Sequence, residues 1–222
     1  MIVQSSGGVT LVGGGPVSKV ILTQSLGFAP LIVAADAGAD RLWRLGKVPQ
    51  AVIGDLDSIT KASRHRFADR LFPIREQATG DFDKALRSID APFVLGLGFA
   101  GARLDHGLAV LNALVRHSDR RCFILSARDV TFLAPRQIAL DLPRGSRLSL
   151  FPMGPVRGES QGLKWPLDGT DFAPDAMIGT SNQVTGPVQL RFDADKMLVI
   201  LPRTALPAGL RAFGLLSTAP GG

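Results

Sequence analysis

The chain of 222 residues is poor in cysteine and in aromatic side chains, and no long apolar run interrupts it. Its single cysteine, Cys122, excludes an intramolecular disulfide bond. Because Cys122 is followed by the apolar residues Phe123 and Ile124, we interpret it as a buried strand residue and not as a nucleophile. The N-terminus has no basic segment of the kind that opens a signal peptide, and no apolar stretch is long enough to span a bilayer. These absences predict a cytoplasmic protein without a membrane partner.

The net charge of +6 is dispersed along the chain. The nearest approach to a basic cluster is formed by arginines in two groups, at Arg64, Arg66, Arg70, Arg116, Arg120 and Arg121. These groups lack the interleaved aromatic residues of a nucleic-acid-binding surface, so we interpret them as solvated helix faces. No nucleic-acid partner is expected.

Apolar runs and helical patterns alternate as far as about residue 135. Strands are predicted from short apolar runs at residues 9–12, 31–35, 51–53, 71–74 and 93–97. Helices are predicted at residues 39–45, 61–70, 81–89 and 104–115, the last with Leu104, Leu108, Leu111 and Val115 on one face. Near-continuous apolar strands separated by helices predict an α/β domain with a doubly wound, mostly parallel sheet over residues 1–135.

From about residue 136 the pattern changes to short strands that are punctuated by glycine and proline. Strands are predicted at residues 147–151, 188–192 and 197–201. Hardly any helix fits between the turn residues, so residues 136–222 are predicted to form a small all-β sandwich domain. The tail from about residue 203 is rich in alanine, glycine and proline and is expected to be loosely held.

The most informative motif is Gly54-Asp55-Leu56-Asp57-Ser58, which follows the predicted strand at residues 51–53. Asp55 and Asp57 should therefore stand at the C-terminal end of a strand, where ligands bind in open α/β sheets. Two carboxylates this close repel each other unless a cation compensates, and Mg²⁺ that holds phosphate oxygens is the usual compensation. Taken alone, the motif is explained equally well by an ordinary turn or helix cap.

Other glycines, acids and bases follow the remaining strands or open the helices after them. They are Gly13, Gly14 and Gly15, a candidate phosphate loop; Asp36; Asp81 with Lys84; and Arg103 with Asp105. Each has a structural explanation as a tight turn, a helix cap or a favourable charge at a helix start. Together, several acids at one sheet edge need metal and phosphate to balance their charge, which predicts metal-assisted phosphoryl transfer.

In their order and spacing these motifs resemble the thiamine pyrophosphokinase family, also called thiamine diphosphokinase. The resemblance spans roughly residues 10 to 200 and extends to Gly101-Ala102-Arg103-Leu104-Asp105-His106, Gly162-Leu163-Lys164-Trp165-Pro166-Leu167 and Ser181-Asn182. It implies an α/β domain followed by a β-sandwich. It also implies transfer of a diphosphoryl group from MgATP to the hydroxyl of thiamine, which leaves AMP.

The resemblance further implies roles for the matching residues in the first domain. Asp55, Asp57 and Asp81 would hold Mg²⁺, with Asp36 nearby in the same acidic cluster. Asp105 completes the expected catalytic set, because its family position lies near the thiamine hydroxyl, which a carboxylate there would orient or deprotonate. The residues expected to bind ATP are Gly13, Gly14, Gly15, Asp36, Ser58, Lys84 and Arg103.

In the second domain, thiamine is expected to contact Trp165, Ser181 and Asn182, with the indole ring facing the cationic thiazolium. In the family the β domain of one subunit reaches the α/β domain of the other, so the resemblance implies a homodimer with shared sites.

The chain departs from the family before Asp81. An Asp is common at the position of Ala78 and a Thr at the position of Gly80, so one carboxylate is missing; Glu76 and Asp83 are the nearest other acids. Two alternatives therefore stay open, a related pyrophosphokinase that acts on another heterocyclic alcohol and a non-catalytic sensor of thiamine or nucleotide.

Overall fold

The computed structural model describes residues 1–101 and 103–216, and the chain divides into two compact units between Ala127 and Arg128. The sequence pattern puts this boundary near residue 135. It falls earlier because the strand Asp129–Leu133 pairs antiparallel with Met197–Pro202, deep in the second half of the chain. No helix in the described residues is long and apolar enough to cross a membrane.

The first unit alternates strands and helices. Its strands are β1 (Val3–Gln4), β2 (Val9–Val12), β3 (Leu31–Ala35), β4 (Ala51–Gly54), β5 (Leu71–Pro73), β6 (Ile89–Asp90), β7 (Val94–Leu97) and β8 (Cys122–Leu125). Its helices are α1 (Lys19–Phe28), α2 (Gly38–Arg44), α3 (Lys61–Arg66), α4 (Asp81–Ser88) and α5 (Leu104–Arg116), with a 3₁₀ turn at Ala68–Arg70. The main sheet is parallel, in the order β8-β7-β2-β3-β4-β5, and β1 pairs separately with β6.

The parallel sheet confirms the doubly wound fold predicted from sequence. Every residue of β2, β4, β7 and β8 is buried, as expected for parallel strands that are covered on both faces. Cys122 is one of these buried strand residues, and its burial raises the pKa of the thiol. From β2 the sheet extends on one side through β3 and β4 to β5, and on the other side through β7 to β8. The ends of β2 and β7 therefore lie at the switch point where such sheets bind ligands.

The buried face of α5 is not the face that the helical spacing predicted from Leu104, Leu108, Leu111 and Val115. Val110, Ala113 and Leu114 are buried. Leu104 and Leu108, which the helical spacing placed on one apolar face, are 80% and 55% exposed. Because α5 carries apolar residues around much of its surface, periodicity alone does not say which side packs on the unit.

The second unit is an antiparallel β structure, which confirms the predicted β-rich domain. Its strands are β9 (Asp129–Leu133), β10 (Gln137–Leu140), β11 (Arg147–Pro152), β12 (Val156–Leu163), β13 (Thr170–Phe172), β14 (Gly179–Phe192) and β15 (Met197–Pro202). The long strand β14 has two sets of partners: its first part pairs with β11, and its later part pairs with β10 and β12. Residues from β10 and β14 alternate between buried and exposed, the pattern of a sheet with one solvated face.

The expectation of a loosely held tail from residue 203 is wrong for its first part. A 3₁₀ turn at Arg203–Ala205 leads into α6 (Leu206–Ala212), which buries Leu206, Ala208 and Leu210. The composition of this segment misled the interpretation, since a proline in the first helical turn favours the start of a helix, and Leu206 and Leu210 are spaced to share one face. Residues 217–222 lie outside the described residues.

The packing of α2 against β2 leaves no room for a side chain at Gly38. A Cβ there would lie 1.9 Å from the carbonyl oxygen of Val12. We expect Gly38→Ala to lower the free energy of unfolding by at least about 2 kcal/mol, because either the strand or the helix must shift. Gly27, within α1, has nothing within 4 Å of such a Cβ. Gly27→Ala should therefore raise the stability by up to about 1 kcal/mol. Urea unfolding followed by circular dichroism measures both variants, and equal stabilities would contradict the close contact.

Candidate active site

Carboxylates that follow two neighbouring strands meet at the C-terminal edge of the parallel sheet. Asp36 comes directly after β3 and Asp55 directly after β4, and these strands pair in parallel. One oxygen from each of Asp36, Asp55 and Asp57 lies within 4.8 Å of the other two. We call these three residues the acidic trio. Its carboxylate oxygens are the ligands that a hard divalent cation prefers.

The backbone around the acidic trio adopts conformations that most residues avoid. Asp36 and Leu56 have φ values of 42° and 65°, in the left-handed region. Gly54 has φ of 152°, and a Cβ at this position would lie 2.9 Å from Asp81 Oδ1. Arg64, interpreted from sequence as part of a solvated helix face, donates to the Leu56 carbonyl oxygen. This bond from α3 holds the turn that places Asp55 and Asp57 side by side.

Asp36 is the buried member of the acidic trio, only 4% exposed. Its Oδ2 accepts a hydrogen bond of 3.3 Å from the backbone N–H of Ser58. Its Oδ1 is buried and has no hydrogen-bond partner among the described residues. Burial, together with the nearby Asp81 carboxylate, raises the pKa of Asp36 to about 6. A buried carboxylate oxygen without a partner is costly, and a bound cation would satisfy it.

The Lys84 ammonium group lies beside the acidic trio and links two carboxylates. Its Nζ is 2.8 Å from Asp55 Oδ2 and 3.3 Å from Asp81 Oδ1. The hydrogen bond from Lys84 lowers the pKa of Asp55. Burial by itself lowers the pKa of Lys84, but the bonds to Asp55 and Asp81 outweigh burial and leave that pKa raised. Both partners are therefore charged at neutral pH.

The acids nearest Ala78 are engaged elsewhere and do not replace the missing carboxylate. Glu76 accepts a 2.8 Å hydrogen bond from the backbone N–H of Ala78 and pairs with Arg87 at 2.7 Å. Asp83 pairs with Arg116 at 3.0 Å and so ties α4 to α5. Neither contributes an oxygen to the group of three that lies within 4.8 Å.

The glycine loop at residues 13–15 is anchored on both sides. The Gly15 N–H donates to the carbonyl oxygen of Gly98, after β7, at 2.9 Å. The Gly14 carbonyl oxygen accepts a 2.9 Å hydrogen bond from Arg41 Nε on α2. The loop therefore lies at the switch point of the sheet, and its role as a phosphate loop stays a prediction. Arg41 is a residue that the sequence motifs do not mark.

Arg103 and Asp105 form an exposed ion pair at the start of α5. Two hydrogen bonds join the side chains, Nε to Oδ1 at 3.1 Å and Nη2 to Oδ2 at 2.5 Å. The hydrogen bonds from Arg103 lower the pKa of Asp105 to about 2. Such a carboxylate is a weak proton acceptor, so it is better suited to orient a hydroxyl group than to deprotonate it. Ala102, part of the same motif, lies outside the described residues.

In the second unit, Asn182 is bonded to the backbone that carries Trp165. Its Nδ2 donates to the Trp165 carbonyl oxygen at 2.6 Å, and its Oδ1 accepts from the backbone N–H groups of Trp165 at 3.2 Å and Gln183 at 2.8 Å. Asn182 is buried, whereas Trp165 is 55% exposed. The Asn182 amide therefore fixes the backbone segment that carries the exposed indole.

A cationic side chain lies close to the indole ring of Trp165. The Lys164 Nζ lies 4.8 Å from the centroid of the Trp165 ring. Ser181, with φ of 63°, is exposed, and its backbone N–H donates to Ser149 Oγ at 2.9 Å. An exposed aromatic face that binds an ammonium group is also a suitable partner for a cationic heterocycle.

A parallel α/β unit with an acidic sheet edge, followed in the chain by an antiparallel β unit with an exposed tryptophan, has the features of a phosphotransferase. Family profiles match both units: "Thiamin pyrophosphokinase, catalytic domain" over residues 22–125 and "Thiamin pyrophosphokinase, vitamin B1 binding domain" over residues 137–197. The chain belongs to the thiamin pyrophosphokinase family.

Relatives and solved structures agree with this assignment. Thiamine pyrophosphokinase 1 of rice, Oryza sativa subsp. japonica, is 29% identical over 82% of this chain and 85% of the rice protein. Thiamine pyrophosphokinase 2 of Arabidopsis thaliana is 27% identical over 85% of this chain and 87% of that protein. The thiamin pyrophosphokinase structure from Candida albicans has the same fold, with a TM-score of 0.76 at 16% identity, covering 90% of this chain and 93% of that one.

The raised pKa of Asp36 makes the stability of the metal-free protein depend on pH. The pKa is about 6 in the folded chain and 3.8 ordinarily, so the folded state holds the proton more tightly. This contribution to stability is fully present below pH 3.8 and is lost as the pH rises through about 6. We expect the free energy of unfolding of Asp36→Asn, relative to that of the native chain, to rise by roughly 2 kcal/mol as the pH increases from 4 to 7.

Asp55→Asn is the matched control. The pKa of Asp55 is lowered in the folded chain, so ionisation of Asp55 stabilises the fold, whereas ionisation of Asp36 destabilises it. Asp55→Asn should therefore be less stable than the native chain at pH 7. Urea unfolding with a chelator at several pH values measures all three proteins. Parallel curves for the native chain and Asp36→Asn would contradict the proposed environment of Asp36.

The bonds of Asn182 give a second prediction. Asn182→Asp places a carboxylate oxygen against the Trp165 carbonyl oxygen, so we expect a loss of about 1–3 kcal/mol of stability and faster motion of the indole. Ser181→Ala, at an exposed neighbouring side chain, should change the stability by less than about 0.5 kcal/mol. Urea unfolding and fluorescence anisotropy decay, in a Trp43→Phe background, follow Trp165 alone. An unchanged anisotropy decay in Asn182→Asp would show that Asn182 does not hold the ring.

Proposed function

We propose that this protein is a thiamine diphosphokinase, which transfers the diphosphoryl group of ATP to the hydroxyl oxygen of thiamine and releases AMP. The observation that carries the proposal is the acidic trio at the sheet edge of the unit that matches the catalytic domain. The match of the second unit to a vitamin B1 binding domain supports thiamine as the acceptor.

The acidic trio suits Mg²⁺. Asp55 and Asp57 belong to the metal set expected from the sequence, and the geometry adds Asp36, whose buried Oδ1 has no partner among the described residues. Asp81, which the resemblance also places in the metal set, would support the acidic trio from beside it, since its Oδ1 accepts hydrogen bonds from the Asp55 N–H and from Lys84, both at 3.3 Å. A divalent cation held here neutralises charge on the phosphate oxygens, which is the main contribution to phosphoryl transfer.

The chain's own groups position the two reactants. The backbone of residues 13–15 lies at the end of β2, where small residues let a triphosphate approach closely. Asp105, kept ionised by Arg103, orients the thiamine hydroxyl for attack on the β-phosphorus. That attack breaks the bond between the β-phosphorus and the oxygen that bridges to the α-phosphate, and the hydroxyl proton leaves to solvent. Trp165 offers its face to the thiazolium ring.

A homodimer with shared sites and a cytoplasmic location are also part of the proposal. The exposure of Leu104 and Leu108, 80% and 55%, leaves apolar surface on the first unit that a partner subunit would cover.

Formation of AMP and thiamine diphosphate from ATP, Mg²⁺ and thiamine tests the proposed reaction. We expect turnover by the native chain and a loss of at least about 100-fold in Asp55→Asn and in Asp81→Asn, since each removes a charge that positions the phosphates. Asp69→Asn is the control, because Asp69 is an exposed acid outside these motifs, with a side chain that is 75% exposed.

Two results would contradict the proposed reaction, and a third would contradict the assignment of the metal site. Tight thiamine binding without AMP formation would indicate a sensor. AMP release with another heterocyclic alcohol, and none with thiamine, would indicate a related pyrophosphokinase. Undiminished turnover in both aspartate variants would remove the assignment of the metal site.

A further inference from the structure

Lys84 is a buried cation among carboxylates. Its side chain is 1% exposed, and Nζ contacts Asp55 Oδ2 at 2.8 Å and Asp81 Oδ1 at 3.3 Å. The residue lies in the first turn of α4, where its N–H donates to the Gly80 carbonyl oxygen at 3.0 Å. The ammonium group is therefore held in place by the helix, and leaving its position would break both ion pairs.

We call the acidic trio together with Asp81 the acidic cluster. Its two sides differ in how their negative charge is balanced. On one side, the single positive charge of Lys84 is shared by Asp55 and Asp81. On the other side, Asp36 Oδ1 is buried and has no hydrogen-bond partner among the described residues. The position between Asp55 and Asp81 already contains a cation, the Lys84 ammonium group. The position at the acidic trio has the ligands for a cation.

We propose that Lys84 is a built-in counter-ion that occupies one of two cation positions in the acidic cluster, so that the nucleotide-free protein binds a single divalent cation, at the acidic trio. The inference rests on the metal site of the proposed function and deepens it. Lys84 is then a positioning residue, which fixes Asp55 and Asp81 and limits the number of ions. This role differs from the direct contact with ATP that the sequence implies.

Electrostatics supports this role. Without Lys84, Asp55 and Asp81 would face each other with no positive charge between them, although the Asp55 N–H bonds to Asp81 Oδ1 at 3.3 Å. A divalent cation would then be drawn to the vacated position. Loss of one positive charge a few ångströms away would also strengthen binding at the acidic trio, since charges at such distances interact by more than about 1 kcal/mol even in water.

The test is a titration of the nucleotide-free, full-length protein with Mn²⁺, followed by electron paramagnetic resonance of the free ion. The native chain should bind one Mn²⁺. Lys84→Met, which keeps the length of the side chain and removes its charge, should bind two, the first about tenfold more tightly. Lys61→Met, which removes an exposed lysine of the same unit, should bind one with unchanged affinity.

Several results would overturn the inference. If Lys84 instead contacts ATP, Lys84→Met would still bind one Mn²⁺ with unchanged affinity and would lose only affinity for an ATP analogue. A native chain that binds two Mn²⁺ ions or none would also contradict it. If Lys84→Met fails to fold, the double variant Lys84→Met/Asp81→Asn removes the pair together and should bind one Mn²⁺; two ions or none there would overturn the proposal.

The metal titration and the AMP assay test the two proposals independently. A chain that makes no thiamine diphosphate but gains a second Mn²⁺ in Lys84→Met would contradict the proposed function and leave the role of Lys84 intact. A chain that makes thiamine diphosphate, with Mn²⁺ binding that Lys84→Met does not change, would do the reverse.

Discussion

Repulsion between carboxylates at one sheet edge is the constraint on which the first unit depends. Because β3 and β4 are paired neighbours, the residues that follow them must lie close together, and both are aspartates. The structure buries Lys84 between Asp55 and Asp81 and leaves one carboxylate oxygen of Asp36 without a hydrogen-bond partner among the described residues. The unusual φ of Leu56 and the need for glycine at position 54 follow from the same crowding.

The sequence predicted the architecture of the first unit because its strands are continuous apolar runs, which parallel sheets require. It did not predict which side of α5 packs inward, since apolar residues surround that helix and only tertiary contacts choose among them. It also misjudged the segment from residue 203, because alanine, glycine and proline are typical of loops. The two leucines that α6 buries are too few to stand out as a pattern.

The acidic trio was predictable in part, because its members directly follow predicted strands and parallel strands bring such residues to one edge. The contacts of Asn182 and Arg41 were not. Asn182 bonds to Trp165, 17 residues earlier in the chain, and Arg41 bonds to Gly14, 27 residues earlier. Contacts to the backbone across such separations leave no local trace in the sequence. The missing acid at Ala78 was visible at once, but only the structure shows that Glu76 and Asp83 do not replace it.

The central claim is that the acidic trio holds a divalent cation against the phosphates of ATP. Anomalous diffraction from crystals grown with Mn²⁺, thiamine and an ATP analogue whose α,β-bridging oxygen is replaced by a methylene group tests it most directly. The account predicts a manganese peak coordinated by Asp36, Asp55 and Asp57 and by analogue phosphate oxygens. A bound analogue with its manganese away from these carboxylates, or with none, would contradict the account.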